Sequence, residues 1–184
     1  MSSTNFKDFP LRNWVYLLHP RPVAVVVSGT WEDYSAMAAS WLTPISRSPP
    51  LVGVAISSER YTYEKISETK EFALCFLPWE LVDKINFFGW TTGREVKDKI
   101  STAGLTKIRA RLLKAPVIAE SVAVIEARLH SDIDLGGDHR FVVGRVEASY
   151  VKEGTTPPDP SSYRVPFHIW RSSYMSASGE TKNI

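Results

Sequence analysis

Residues 22–28 read Pro-Val-Ala-Val-Val-Val-Ser, a run rich in β-branched residues that ends at Gly29. Such a run, bounded by a proline and a glycine, indicates a strand that is buried on both faces. Two further runs repeat the pattern: residues 51–57 (Leu-Val-Gly-Val-Ala-Ile-Ser), behind two prolines, and residues 71–77 (Glu-Phe-Ala-Leu-Cys-Phe-Leu), ahead of another. These three runs predict the central strands of a β-sheet.

Two longer runs lie in the second half of the chain, at residues 121–130 and 140–151, and both are rich in valine, isoleucine and phenylalanine. They predict a fourth and a fifth strand, and residues 35–41 are a candidate sixth. Strands of this number and uneven spacing are typical of a mainly β protein whose sheet closes, or nearly closes, into a barrel.

Three segments between the strands have apolar residues spaced for one face of a helix, at residues 61–69, 80–88 and 94–102. Gly104 follows the third segment and is expected to cap it. The chain contains no internal repeat and no linker long enough to separate domains. We therefore expect one domain over residues 1–184, a barrel that carries short helical insertions.

The composition excludes several classes of protein. Hydrophobic residues make up 43% of the 184 residues and charged residues 23%, which is typical of a folded globular chain. The net charge of +2 offers no broad basic face, so we expect no nucleic-acid partner. The single cysteine, the absence of a signal-peptide pattern at residues 1–8 and the absence of an apolar run of about 18 residues predict a cytoplasmic protein that does not enter a membrane.

The usual motifs of side-chain catalysis are missing from the sequence. It has no glycine-rich phosphate loop, no strand-borne Gly-x-Gly-x-x-Gly, no Gly-x-Ser-x-Gly and no His-Glu-x-x-His. A hydrolase that relies on its own side chains is therefore disfavoured. Cys75 lies between Leu74 and Phe76 in an apolar strand, which predicts a buried, inert thiol.

A polar cluster lies between the last two predicted strands and could in principle hold a metal: His130, Asp132, Asp134, Asp138 and His139. The pattern fails the calcium-loop spacing because glycine stands at position 136, where a ligand is needed. A solvated hairpin turn at Gly136 and Gly137 is preferred, and we predict no metal site. His139 is the member of the cluster with the best claim to a function.

Two other segments leave a functional and a structural interpretation open. Residues 37–44 (Met-Ala-Ala-Ser-Trp-Leu-Thr-Pro) place small residues beside Trp41, which suits close approach of a flat ligand or packing of a strand beneath a helix. Residues 57–62 (Ser-Ser-Glu-Arg-Tyr-Thr) run from a strand end into a helix start. Free amides, hydroxyls and an arginine suit a phosphate there, and a plain helix cap is the alternative.

A set of segments spread over most of the chain forms a pattern by its order and spacing. The segments are residues 19–24 (His-Pro-Arg-Pro-Val-Ala), 40–46 (Ser-Trp-Leu-Thr-Pro-Ile-Ser), 49–56 (Pro-Pro-Leu-Val-Gly-Val-Ala-Ile), 60–66 (Arg-Tyr-Thr-Tyr-Glu-Lys-Ile), 71–73 (Glu-Phe-Ala), 92–95 (Thr-Gly-Arg-Glu) with 98–99 (Asp-Lys), 103–106 (Ala-Gly-Leu-Thr), 115–121 (Ala-Pro-Val-Ile-Ala-Glu-Ser), 137–139 (Gly-Asp-His) and 143–146 (Val-Gly-Arg-Val). In this pattern the chain resembles the flavin reductase-like family, in particular the flavoredoxin type of FMN-binding split barrel.

The resemblance implies a Greek-key split β-barrel that forms a homodimer, with FMN held near the interface. It implies that the backbone of five consecutive residues faces the isoalloxazine ring: Ala39, Ser40, Trp41, Leu42 and Thr43. The residues implied to hold the phosphate are Ser40, Ser58, Arg60 and Thr62. Arg94 and Lys99 are expected near the cofactor, and His139 either closes one edge of the flavin site or is a simple turn residue.

The resemblance also implies an oxidoreductase in which NADH or NADPH reduces the bound flavin. The electrons would then pass to free flavin, to a partner monooxygenase or to another electron carrier. Two alternatives stay open: an electron carrier that keeps FMN without nicotinamide activity, and a non-catalytic flavin-binding protein. A cover over the flavin face by residues 168–184 would favour binding over turnover.

Overall fold

The computed structural model describes residues 6–157, 159 and 161–177. Its strands are β1 (Arg21–Pro22), β2 (Ala24–Gly29), β3 (Tyr34–Ala39), β4 (Leu42–Arg47), β5 (Pro50–Ile56), β6 (Glu71–Phe76), β7 (Lys107–Arg109), β8 (Pro116–Ile118), β9 (Ala123–Asp134), β10 (Arg140–Val151), β11 (Phe167–Trp170) and β12 (Ser173–Met175). Its α-helices are α1 (Tyr61–Thr69), α2 (Val82–Trp90) and α3 (Lys99–Thr102), and 3-10 turns span Leu11–Leu18 and Trp79–Leu81.

The main sheet has seven strands in the order β3-β2-β6-β9-β10-β5-β4, and every neighbouring pair is antiparallel. Its two edge strands, β3 and β4, are consecutive in the chain and are joined only through Ser40 and Trp41. Seven flat strands would separate the edges by about 29 Å at ~4.8 Å per strand. The link from Ala39 to Leu42 spans at most about 10 Å, so the sheet must curl until its edges meet. The predicted mainly β barrel with short helices is confirmed.

Strand β2 shows how the sheet is packed. Ala24 and Val26 point into the barrel and join one apolar cluster, while Val25 and Val27 point outward and join another beneath the helices. All four are fully buried. The prediction that residues 22–28 contain a strand buried on both faces is therefore confirmed, because one face meets the barrel interior and the other meets α2 and α3.

The third predicted helix is wrong over its first half. Only Lys99–Thr102 are helical, whereas residues 94–98 form turns and irregular backbone. The physical reason is the side chain of Asp98, which accepts a hydrogen bond from the amide of Ser101 at 3.2 Å and so caps a helix that starts after it. Gly104 lies just beyond this helix with a φ of +72°, as expected of its cap.

Several short strands were not expected, and β4 explains why. It contains Pro44 and exposes most of its side chains, which argues against a central strand. Proline is tolerated here because β4 is an edge strand and bulges between Pro44 and Ser46.

Strands β9 and β10 form the predicted hairpin around Gly136, whose φ is +76°. Within the described residues, no helix combines the length and apolarity that crossing a bilayer requires.

Candidate functional site

A cleft lies between β3, the N-terminus of α1, the C-terminus of α2 and the turn of the β11–β12 hairpin. It consists of two adjoining cavities of about 330 and 120 Å³, which share Ala38, Arg60 and Gly89. The larger cavity is also lined by Val23, Ala39, Ser40, Trp90, His168, Arg171 and Tyr174. The smaller is also lined by Ser35, Ala36, Met37, Glu59, Tyr61, Thr62, Phe88, Thr91, Thr92, Gly93 and Lys99. We call these two cavities together the β3 cleft.

The floor of the β3 cleft is an edge strand with small side chains. Because β3 is paired on one side only, the other side of its backbone has no strand partner. Ala38 lies under α2, because a Cβ placed on Gly89 would be 3.9 Å from the Cβ of Ala38. The packing interpretation of this small-residue stretch is therefore confirmed, because the strand lies beneath a helix. The stretch also borders a cavity, and the approach of a flat ligand to it stays a prediction.

Arg60 stands at the point where the two cavities meet. It is the N-cap residue of α1, and no side chain caps that helix. Its own side chain is exposed and makes no ion pair or hydrogen bond with the described residues. The first amides of a helix and a free guanidinium both attract anions. This end of the β3 cleft therefore suits a negatively charged group.

Lys99 lies beneath the smaller cavity and is 1% exposed. Its Nζ donates hydrogen bonds to three backbone carbonyls, those of Ala36 at 2.6 Å, Phe88 at 3.2 Å and Thr91. Burial, followed by the nearby charge of Arg60, lowers the pKa of Lys99 to about 8. Its partners are all neutral, so its positive charge, when present, lacks a carboxylate partner among the described residues.

The wall opposite β3 is held close by Gly93. A Cβ at this position would lie 2.8 Å from the ring of Tyr61 and 2.9 Å from Oγ of Ser35, so only glycine lets the loop approach this closely. The hydroxyls of Ser35 and Thr62 are 2.8 Å apart and hydrogen-bond to each other. Thr62 is 2% exposed, and its hydroxyl already has Ser35 as a partner beneath the cleft.

Trp41 borders a different cavity of about 480 Å³, which also touches Leu42, Thr43 and Phe141. The lining of the two sites thus changes within the link between β3 and β4, where Ser40 borders the β3 cleft and Trp41 borders the other cavity. The ring of His139 stacks on Trp41, with centroids 4.7 Å apart and planes inclined by 30°.

The structure brings some of the predicted site residues together and separates others. Ala39, Ser40, Arg60, Thr62 and Lys99 line the β3 cleft. Leu42 and Thr43 line the cavity beside Trp41. His139 lies at the edge of this cavity, where its ring stacks on Trp41.

Two further predicted residues line neither the β3 cleft nor the cavity beside Trp41. Ser58 is exposed in the turn before α1. Arg94 forms a 2.7 Å ion pair with Glu64, and its guanidinium lies 4.9 Å from the ring centroid of Tyr61. All the assignments of binding residues stay predictions.

The sequence analysis missed several residues that line the β3 cleft. They are Ser35, Gly89, Trp90, His168, Arg171 and Tyr174. His168 had a weak signal, as the start of the tail named above as a cover for the site. No local signal places this tail at the cleft, because the contact depends on the pairing of Arg21 in β1 with His168 in β11.

A comparison with known proteins gives the family. The family model described as "Flavin reductase like domain" matches residues 16–178 of this chain. The chain belongs to the flavin reductase-like family. Membership confirms the resemblance found in the sequence. The matched stretch includes every residue that lines the β3 cleft.

Individual flavin reductase-like relatives agree with this assignment. An uncharacterized protein of Aeropyrum pernix is 38% identical over 134 residues, which are 73% of this chain and 51% of that protein. The match thus spans about half the length of that relative. Among solved structures, an FMN-binding protein from Thermus thermophilus with bound p-hydroxybenzaldehyde is 26% identical, with a TM-score of 0.84 and full coverage of both chains. A flavoredoxin from Methanosarcina acetivorans has a TM-score of 0.85 at 22% identity and covers 98% of this chain and 95% of its own.

Proposed function

We propose that this chain binds FMN in the β3 cleft and passes electrons from NADH or NADPH through the flavin to an acceptor. The observation that carries the proposal is the unpaired charge of the cleft. Arg60 and Lys99 both lack a carboxylate partner among the described residues, and both line the smaller cavity, beside an α1 N-terminus that no described side chain caps. The FMN-binding protein of Thermus thermophilus, at 26% identity and full coverage, supports the same ligand.

The shape and chemistry of the β3 cleft fit FMN. The smaller cavity is cationic and suits the phosphate, whose oxygens would accept hydrogen bonds from Arg60 and from the first amides of α1. The larger cavity has a floor of Ala38, Ala39 and Ser40, whose small side chains suit a flat ring system. Glu59 is the one acidic residue among the described residues that line the cleft. Its single charge leaves the cleft with an excess of cations.

The chain's own task in this proposal is to bind and orient. A bound flavin supplies the redox chemistry itself, which fits a sequence without motifs for side-chain catalysis. Arg60 would hold the phosphate end, and the unpaired edge of β3 would offer backbone groups to the ring. Lys99 would keep β3, α2 and the 91–93 loop together through its carbonyl partners and would add positive charge below the phosphate.

A second candidate function is a flavin-binding or electron-carrying protein with little nicotinamide activity. The observation that favours it is the β11–β12 hairpin, because His168, Arg171 and Tyr174 form one wall of the β3 cleft. A wall that also covers the reactive face of the ring would hinder access of a nicotinamide. The electron acceptor is a second choice to be made between candidates: free flavin, a partner monooxygenase or another carrier.

We also propose that the protein is a cytoplasmic homodimer. The 3-10 turn at Leu11–Leu18 has no buried residue and exposes Leu11, Trp14 and Leu17 by 84%, 53% and 67%. Large apolar side chains that remain exposed next to one another often mark an interface between chains. Sedimentation analysis tests the dimer, and a monomer that carries flavin at full occupancy would contradict a site shared between subunits.

The experiment that tests the function is a visible absorption spectrum of the purified protein under anaerobic conditions. We expect one FMN per chain, released on heat denaturation, and bleaching of the flavin absorbance after addition of NADH or NADPH. Bleaching by dithionite but not by either nicotinamide would select the second candidate. A protein that binds neither FMN nor FAD in a titration would refute the proposal.

A further inference from the structure

The turn between β11 and β12 has an unusual residue at its first position. Trp170 ends β11 and Ser173 begins β12, so Arg171 and Ser172 form a two-residue hairpin turn. The φ of Arg171 is +44°, in the left-handed region. Two-residue turns favour glycine, asparagine or aspartate at such positions, because larger side chains crowd the backbone there. Arginine is therefore a costly choice for this turn.

The turn is held in place from two sides. Nε2 of His168 donates a hydrogen bond to the carbonyl of Arg171 at 2.8 Å. From α2, Nε1 of Trp90 donates to Oγ of Ser172 at 3.1 Å and to Oδ1 of Asn86 at 3.2 Å. The bond from His168 lies within the hairpin and fixes the turn itself, whereas the bond from Trp90 fixes the hairpin tip relative to α2. The tethers thus keep the strained residue beside the β3 cleft.

The side chain of Arg171 lines the larger cavity, which Arg60 also borders from α1. It makes no ion pair or hydrogen bond with the described residues, and its recorded contact is the ring of Trp170, with Cζ 5.8 Å from the centroid. Residues in strained backbone conformations are concentrated at ligand sites, where function offsets their cost. A guanidinium with no protein partner, held over a cavity at such a cost, indicates an anionic ligand.

We propose that Arg171 is a second phosphate-binding residue of the β3 cleft, together with Arg60. This inference rests on the proposed function and deepens it. The chemistry that a guanidinium recognises is a phosphate oxygen, and two sources can supply it: the phosphate of FMN itself or the pyrophosphate of a dinucleotide such as FAD. Arg60 borders both cavities, so a phosphate held at their junction also faces the larger cavity that Arg171 lines. In both cases Arg171 adds affinity for phosphorylated ligands.

The test replaces Arg171 with glycine, which relieves the strain while removing the charge. We expect Arg171→Gly to have an unfolding temperature at or above that of the wild type. Its dissociation constant for phosphorylated flavin should rise about three- to tenfold, while riboflavin affinity stays within about twofold. Arg171→Lys, which keeps the charge, should lose less affinity than Arg171→Gly. Fluorescence titrations with riboflavin, FMN and FAD give these values without any turnover.

Lys70→Gly is the matched control. Lys70 caps the C-terminus of α1 with a φ of 60° and lines neither cavity of the β3 cleft. This variant also relieves a left-handed residue and removes a positive charge. We expect it to bind all three flavins as the wild type does, so it separates the effect of strain and net charge from the effect of position.

The outcomes distinguish the two sources of phosphate and the two proposals. A loss that FMN and FAD share assigns Arg171 to the FMN phosphate, and a loss confined to FAD assigns it to the pyrophosphate. Unchanged affinity for both ligands, or an equal loss for riboflavin, overturns the inference and leaves the proposed function intact. A wild-type protein that binds no flavin at all overturns both.

Discussion

Arg140, at the β9–β10 hairpin, and Arg60, at the start of α1, both reach solvent, yet their surroundings differ. Arg140 donates to Asp132 at 2.7 Å and to Asp134 at 2.9 Å, and Tyr63 donates to the other oxygen of Asp132 at 2.7 Å. Arg60 has no such partner among the described residues. The hairpin therefore satisfies its charges within the chain, whereas the β3 cleft leaves its charges available.

This difference distinguishes a structural arginine from one whose guanidinium is available to a ligand. Paired charges fix the geometry of a hairpin and are already satisfied without any ligand. Cations grouped in a concave site and not paired with a carboxylate repel one another, and the charge of Arg60 accordingly contributes to the lowered pKa of Lys99. Such an arrangement is unfavourable in the free protein and becomes favourable when an anion arrives. The comparison can be tested at three positions.

The largest effect is expected for Arg60→Ala. A charge-assisted hydrogen bond contributes ~1.5–3 kcal/mol, so the dissociation constant of FMN should rise about ten- to a hundredfold. Riboflavin lacks the phosphate and should bind almost as it does to the wild type. Titrating both proteins with both ligands isolates the phosphate contact. Equal losses for FMN and riboflavin would instead assign Arg60 to the fold or to the ring site.

The second test uses the pH dependence of stability in the ligand-free protein. Burial lowers the pKa of Lys99 to about 8, below its usual value, so between about pH 8 and 10 the unfolded chain keeps a proton that the folded chain has released. The free energy of unfolding should then rise with pH in this window, by at most about 1.4 kcal/mol per pH unit. Urea denaturation of the wild type and of Lys99→Met, from pH 7.5 to 10, measures it. Parallel pH profiles for the two proteins would contradict the prediction.

The smallest effect on binding is expected for Arg140→Ala. The variant removes a guanidinium that is paired within the hairpin and lines neither cavity of the β3 cleft, so the affinity for FMN should change by less than about twofold. Its stability should fall instead, because Asp132 loses its cationic partner. A clear loss of FMN affinity without a loss of stability would erase the contrast between the two regions.

Acid titration sharpens the contrast at the same hairpin. Burial raises the pKa of Asp132, but hydrogen bonds from Arg140 and Tyr63 outweigh it and hold the pKa below its usual range. The stability that Asp132 contributes is therefore present above about pH 4 and is lost as the pH falls through its folded value. This acid-dependent loss should be smaller in Arg140→Ala.

Much of the fold could be predicted because the pattern is local. Residues 61–69 and 140–151 have the predicted helix and strand with the same bounds. Cys75 is buried in its strand, and this burial raises the pKa of its thiol to about 11, in agreement with an inert cysteine. Residues 94–98 have the apolar spacing of a helix, but the side chain of Asp98 caps the helix that begins at Lys99, so the residues before it are not helical.

The candidate site could be predicted only in part. Arg60 and Lys99 were expected in it, and both line the β3 cleft. Arg94 has the same charge and a similar place in the motif pattern, but Glu64 lies 2.7 Å away and pairs with it. Which arginine keeps a free guanidinium depends on neighbours that lie far apart in the sequence, and residue type alone carries no such information.

The amino-acid sequence determines the central strands, the first two helices and the inert cysteine, because each depends on residues that are neighbours along the chain. The order and spacing of its segments determine the family. The tertiary structure decides which charges remain unpaired. It closes β3 against β4, sets Lys99 under Ala36, and brings Arg171 to the cavity that Arg60 borders. The physical reason is that charge pairing and cavity walls depend on short distances between residues far apart in the sequence, such as Arg60 and Arg171, 111 positions apart, and only the folded chain defines these distances.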